Sequence, residues 1–450
     1  MQLKLSGPIK ALLVLSCVVT QAVLAQEPQP AGVLFENVRV FNGTSGQVSA
    51  PSNVLVVGNI IKAISTAPIA ALPASAVTRI DGGGRTLMPG LIDAHSHISV
   101  MAVSMSEALN ADIGYVHIAA SKAAEAMLLR GFTTVRDMGG PTFGLKRAID
   151  SGLIPGPRIF PSGTLISQTG GHGDFRLPYE IPRAAGDPLS YSERMGLSAI
   201  ADGPDEVRRR ARENLMKGGS QIKLTAGGGV GSEYDPLDVS QFSEAELHAA
   251  VEVAENWGTY VTVHAYTPRA IKVAISAGVK VIEHGQLIDE ATAKLMADKG
   301  IWWCLQPLLD DADWTPLTGS RRVKQLSVAH GTDTAYALAR KYKIKTAWGT
   351  DLIFSPDLAA SQGEMLAKLV RWYTPGEVLK MGTGDNAQLL ALSGLRSPYA
   401  GKLGVVEEGA LADLLLVDGD PVANIKLIED PARNFLVIMK DGKIYKNLTH

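Results

Sequence analysis

From residue 90 to about 400, short apolar runs alternate with helical stretches, and this alternation restricts the chain to few folds. Eight runs read as strands: Leu91–Ala94, Thr133–Asp137, Arg158–Ser162, Gln221–Thr225, Tyr260–His264, Lys280–Glu283, Ile301–Gln306 and Lys345–Gly349. Helical stretches follow most of them, at 115–130, 145–151, 204–217, 244–257, 269–277, 290–299 and 332–341. Parallel strands need a crossover connection, usually a helix, so repeated strand–helix units build a parallel sheet. Eight such units in about 300 residues predict a (β/α)8 barrel.

The flanks read differently. Val33–Phe41, Val54–Ile64, Val77–Ile80, Leu414–Val417, Phe435–Lys440 and Lys443–Tyr445 are β-rich and separated by turn residues. The expected class is α/β: a TIM barrel over 90–401, with a small β-sandwich made from both chain ends, 26–89 and 402–450. Residues 1–25 have a basic start (Lys4, Lys10), an apolar run over 11–20 and small residues before a cut. They read as a cleavable signal peptide, which predicts a secreted or periplasmic protein. Lipid anchoring at Cys17 is the less favoured variant.

In a barrel of this type chemistry sits at the C-terminal strand ends. There the sequence places His95 and His97, Lys223, His264, His284 and Asp351, on strands 1, 4, 5, 6 and 8. Residues i and i+2 share a strand face, so His95 and His97 point together. Any one of these residues has an ordinary structural reading. Six metal-compatible groups in barrel order point to a metal site.

The motifs around these residues resemble the amidohydrolase superfamily, within it the imidazolonepropionase-like branch. That branch includes metal-dependent Xaa-Pro-type dipeptidases, carboxypeptidase-like enzymes and ochratoxin-hydrolysing amidases. The resemblance rests on Met88-Pro-Gly-Leu-Ile-Asp-Ala-His-Ser-His97, Gly131-Phe-Thr-Thr-Val-Arg-Asp137, Thr169-Gly-Gly-His-Gly173, Ile222-Lys223, His264-Ala-Tyr266, Ile282-Glu-His-Gly285, Gly349-Thr-Asp351 and Gly409-Ala-Leu-Ala-Asp-Leu414. It implies a binuclear metal-dependent hydrolase of amide or peptide bonds, acting through a metal-bridging hydroxide. His95 and His97 would bind the first ion, and His264 and His284 the second. Lys223, carbamylated by CO2, would bridge them. Asp351 would ligate the first ion and handle the proton. Zinc is the default for such donors. The runner-up is a cyclic-amide (imidazolone or lactam) hydrolase or a mononuclear deaminase, against which Lys223 argues.

Three further groups stand near the expected site. His172 follows strand 3 between glycines and reads as a substrate-binding or catalytic group. Tyr266, two residues after His264, reads either as a hydroxyl donor to substrate or as packing. Arg136 and Asp137 read as a structural ion pair beneath the site, and Glu283 as facing the helices with a cation. Long loops over 163–203, 227–242 and 307–331 carry aromatics that predict an apolar pocket. Arg176, Arg321 or Arg322 would meet a substrate carboxylate.

Composition narrows the partners. The formal net charge is −2, with 20% charged residues and no basic patch, which argues against nucleic acid. Beyond the leader no segment is long and apolar enough to span a bilayer. A small molecule or short peptide is the expected substrate, and the resemblance implies a homo-oligomer. Without the leader one cysteine remains, Cys304, read as core.

Overall fold

The computed structural model describes residues 32–70, 77–184, 186–232, 234–312 and 314–449. The expected signal peptide and Cys17 lie outside the described residues. The N-terminal strands are β1 (Gly32–Phe41), β2 (Val48–Val57), β3 (Ile60–Ser65), β4 (Val77–Asp81) and β5 (Thr86–Pro89). The strands of the middle region are β6 (Leu91–Ser96), β7 (Phe132–Asp137), β8 (Arg158–Pro161), β9 (Leu165–Ser167), β10 (Ser198–Ile200), β11 (Ile222–Thr225), β12 (Val261–Ala265), β13 (Val281–His284), β14 (Trp302–Leu305) and β15 (Thr346–Trp348). The C-terminal strands are β16 (Leu414–Val417), β17 (Phe435–Lys440) and β18 (Lys443–Asn447).

β6, β7, β8 and β11–β15 are the eight parallel strands of a (β/α)8 barrel. Each lies within two residues of its expected range. β9 and β10 were not expected: at three residues each they are too short to show a period. They continue the sheet outward from β11. The helix after β14 starts at Gly319, not 332, which shortens the expected 307–331 loop. Gln325, Val328, Ala329 and Thr332 form its buried stripe at helical spacing, behind a polar sequence that hides it.

Side-chain amides close the barrel where the strand ladders stop. At the β8–β11 seam, Gln221 Nε2 donates to Phe160 O at 2.9 Å and Asp137 O at 3.2 Å. At the β15–β6 seam, Asn386 Nδ2 donates to Ile92 O at 2.7 Å and Trp348 O at 2.8 Å. The carbonyls of Phe160, Ile92 and Trp348, on the edge strands β8, β6 and β15, thereby gain a donor at the seams. The crossover helices are capped conventionally. In Glu244–Trp257, Ser243 accepts from Glu246 N, and Gly258 ends the helix at φ 71°.

The chain ends meet in one eight-stranded sheet, with β16 antiparallel to β5. One face encloses its own core, including Val38, Val54, Ile61, Leu414 and Val437. Leu415, Phe435 and Ile438 on the other face join the barrel's core. The sheet thus braces β5, which leads directly into β6 and its histidines.

Candidate active site

All eight residues singled out at strand ends and in loops (His95, His97, His172, Lys223, His264, Tyr266, His284 and Asp351) line one pocket of about 410 Å³ at the C-terminal mouth of the barrel. Local backbone departures bring them there. Pairing between β6 and β7 shifts register between Asp93 and Ser96, which re-aims the His-x-His pair as bulges do. His284 has φ 71° and Asp351 φ 56°, so the chain leaves the strand geometry at both residues. Gly349 permits this closeness: a Cβ there would lie 2.3 Å from His95 N.

Each of the four strand-end histidines has one ring nitrogen against an oxygen acceptor. His95 Nδ1 meets Glu283 Oε2 at 2.7 Å, and His97 Nδ1 meets Gly139 O at 3.0 Å. His264 Nε2 meets Gly228 O at 3.0 Å, and His284 Nδ1 meets Gln306 Oε1 at 2.8 Å. A nitrogen facing such an acceptor carries the proton. In the neutral ring the other nitrogen is then a lone pair, the arrangement that metal-binding histidines show. Among the described residues the buried His95 Nε2 makes no well-aligned hydrogen bond, and Asp351 Oδ1 is the oxygen that faces it. Burial disfavours the charged rings, pushing His284 down to about 3 and His264 well below its ordinary value.

Asp351 sits across from the first pair, its Oδ1 at 3.1 Å from His95 Nε2 and 3.4 Å from His97 Nε2. Ligand atoms of these three residues lie within 4.8 Å of one another. Burial favours its neutral form, but the His95 and His284 rings outweigh that and hold its pKa well below the carboxylate range. The rings of His264 and His284 are 4.4 Å apart, and those of His95 and His284 4.9 Å. Lys223 is 2% exposed and lines the pocket with the histidines. Burial lowers its pKa, with Glu283 and Asp351 opposing. A buried ammonium is costly, and four oriented lone pairs, a carboxylate and this amine are a donor set that fits divalent metal.

Glu283 corrects an expectation. It does pair with a cation, but inside the barrel: Arg136 Nη2 donates to its Oε1 at 2.6 Å, and Thr262 Oγ1 also binds it. Val281 and Glu283 face inward by alternation, and the left-handed His284 turns in beside them. Arg136 therefore does not pair with Asp137. Neighbours on a strand point to opposite faces, and Asp137 instead accepts from Ile98 N and Thr142 Oγ1.

His172 stacks on His264 with ring centroids 4.2 Å apart. Its Nδ1 lies 2.8 Å from Ser232 Oγ and 3.3 Å from Asp235 Oδ2. Burial raises the Asp235 pKa, but His172, Ser232 and Gly229 N together hold it below the ordinary range. A Cβ on Gly229 would lie 1.9 Å from the His172 ring. Tyr266 stacks on His284 at 5.2 Å. Phe175, Trp314 and Phe354 supply aromatic wall, and Arg321 is the expected cation that lines the pocket. Arg176 is tied to Asp174 and Arg322 to Asp310. Sequence reasoning missed Gln306 and the structural roles of Glu283 and Arg136. Gln306 closes strand 7 and could have been noticed by that position alone.

The family model described as Amidohydrolase family matches residues 86–445. Ochratoxinase of Aspergillus niger is 31% identical over 377 residues, covering 80% of this chain and 75% of that protein. A crystal structure of an amidohydrolase matches with TM-score 0.83 and 35% identity, over 92% of this chain and 99% of that one. A prolidase complexed with N-methylphosphonate-L-proline matches with TM-score 0.82 and 33% identity, over 92% and 100%. Among the described residues no helix is long and apolar enough to cross a membrane. The chain belongs to the amidohydrolase family, as a hydrolase of C–N amide bonds in the branch of the Xaa-Pro dipeptidase-like enzymes and ochratoxinase.

Proposed function

We propose that this enzyme is a two-metal amidohydrolase that cleaves the amide of a dipeptide, an N-acyl amino acid or an ochratoxin-like amide. His95, His97 and Asp351 would hold one ion and His264 and His284 the other, with zinc the default for such donors. The observation that carries this reading is Lys223, a buried amine that lines the pocket together with the four histidines. Its lowered pKa favours the neutral amine, which adds CO2 and loses a proton to become an anion. That anion removes the cost of a buried cation and can be shared by two ions. Two ions bound here would polarise the scissile carbonyl and make water a nucleophile at neutral pH.

The chain's own groups do the rest. Asp351 accepts the proton of the attacking water and returns it to the leaving nitrogen. His172, held by Asp235 and Ser232, faces the pocket beside His264 and contacts the substrate carbonyl or carboxylate. Tyr266 offers a hydroxyl at the same wall. The aromatic lining suits an apolar side chain, and Arg321 suits a carboxylate. The relatives named ochratoxinase and prolidase support amide substrates carrying a carboxylate. Export to the periplasm or medium and assembly into a homo-oligomer are part of the same proposal.

The test is a panel of X-Pro, X-Arg/Lys and X-Phe dipeptides, N-acyl amino acids and an ochratoxin-like amide, given to mature protein loaded with zinc and bicarbonate. Hydrolysis of at least one class is expected, and none at all overturns the proposal. Lys223→Ala is expected to lower bound metal from two ions to one, whereas a mononuclear enzyme would keep its count.

A further inference from the structure

The four histidines are oriented alike but not by equal partners. Gly139 O, Gly228 O and Gln306 Oε1 are neutral acceptors. The acceptor for His95 is the carboxylate of Glu283, at 2.7 Å. Glu283 and Arg136 are both fully buried. Arg136 and Thr262 hold one carboxylate oxygen while the other faces His95. Arg136 also donates from Nε to Ala94 O at 2.5 Å and from Nη1 to Tyr260 Oη at 3.1 Å. It therefore fixes both the carboxylate and the backbone immediately before His95.

A buried ion pair gives little net stability over an apolar pair of equal volume. Its placement under one ring has another consequence. A carboxylate acceptor makes the imidazole a stronger donor at its other nitrogen and locks its tautomer and plane. We infer that Glu283, locked by Arg136, is a positioning residue that makes the His95/His97 half the tighter of the two metal sites. The inference rests on the two-metal reading above.

The experiment is stepwise zinc titration of metal-free mature protein in chelator competition, for wild type, Glu283→Gln and the double variant Glu283→Gln/Arg136→Met. The double variant removes both charges together and so leaves none buried alone. Wild type is expected to bind two ions with unequal affinity. Both variants are expected to lose about 10–100-fold in the tighter step and to leave the weaker step unchanged. The cobalt(II) spectrum of the first equivalent should shift with them. Should Glu283→Gln fail to fold, the double variant alone decides. An unchanged tighter step, or equal weakening of both steps, overturns the inference. A wild type that binds one ion overturns the two-metal reading instead, and Glu283 is then judged on that single step.

Discussion

The two halves of the pocket floor use the same side chain in different electrostatic settings. His95 lies between two carboxylates, Glu283 at one ring nitrogen and Asp351 at the other, and His97 also faces Asp351. His264 and His284 hydrogen-bond to neutral oxygens, and the nearest approach of Asp351 to His284 is 3.9 Å. One half is organised by buried charge and the other by neutral dipoles and stacked rings, including His172 on His264 and Tyr266 on His284. The first arrangement suits firm retention of a cation. The second leaves room for exchange of partners next to His172 and Tyr266.

Variants can break this contrast. The largest effect is expected from Asp351→Asn, which removes the proposed proton carrier: kcat should fall about 10²–10⁴-fold, with bound metal measured by emission spectrometry largely retained. Near-normal turnover would remove Asp351 from the proton pathway. Arg136→Met strands the Glu283 charge in the barrel interior, and losing one partner of a buried pair costs about 3–5 kcal/mol. Equilibrium denaturation should show that loss, with the His95/His97 half affected first.

The neutral half should be the acid-sensitive one. His284 is held down to about 3 in the folded chain, against 6.5 when unfolded, and His264 is lowered with it. Between those values the unfolded chain binds more protons, so stability falls as pH drops. The metal-free protein should keep its full stability above about pH 6.5 and lose it progressively toward pH 3, read from denaturation midpoints. The smallest effect is expected from Asp235→Asn, which loosens His172 without touching the floor. kcat/KM should fall on the order of 10-fold, about 1.4 kcal/mol, while metal content stays constant. A loss of metal in this variant would tie His172 to the floor rather than to substrate.

The barrel was legible because periodicity and turn residues repeat eight times, and errors in strand ends stayed within two residues. The residues lining the floor were legible because strand order fixes where each C-terminal end emerges. What stayed hidden was orientation. Alternation assigns Glu283 and His284 to opposite faces, but a single left-handed residue overrides it. Nothing local to Arg136 indicates that its partner is 147 positions away. Gln221 and Asn386 act as substitutes for missing ladder bonds, a role visible only once the seams exist. The start of the Gly319–Lys341 helix was masked by the polar residues of its exposed face.

The most direct test of the two-metal proposal is to follow amide hydrolysis while zinc is added, with bicarbonate present, to the metal-free protein. Activity is expected to appear mainly with the second equivalent and to stop rising at two ions per chain. Activity that saturates at one ion per chain would contradict it.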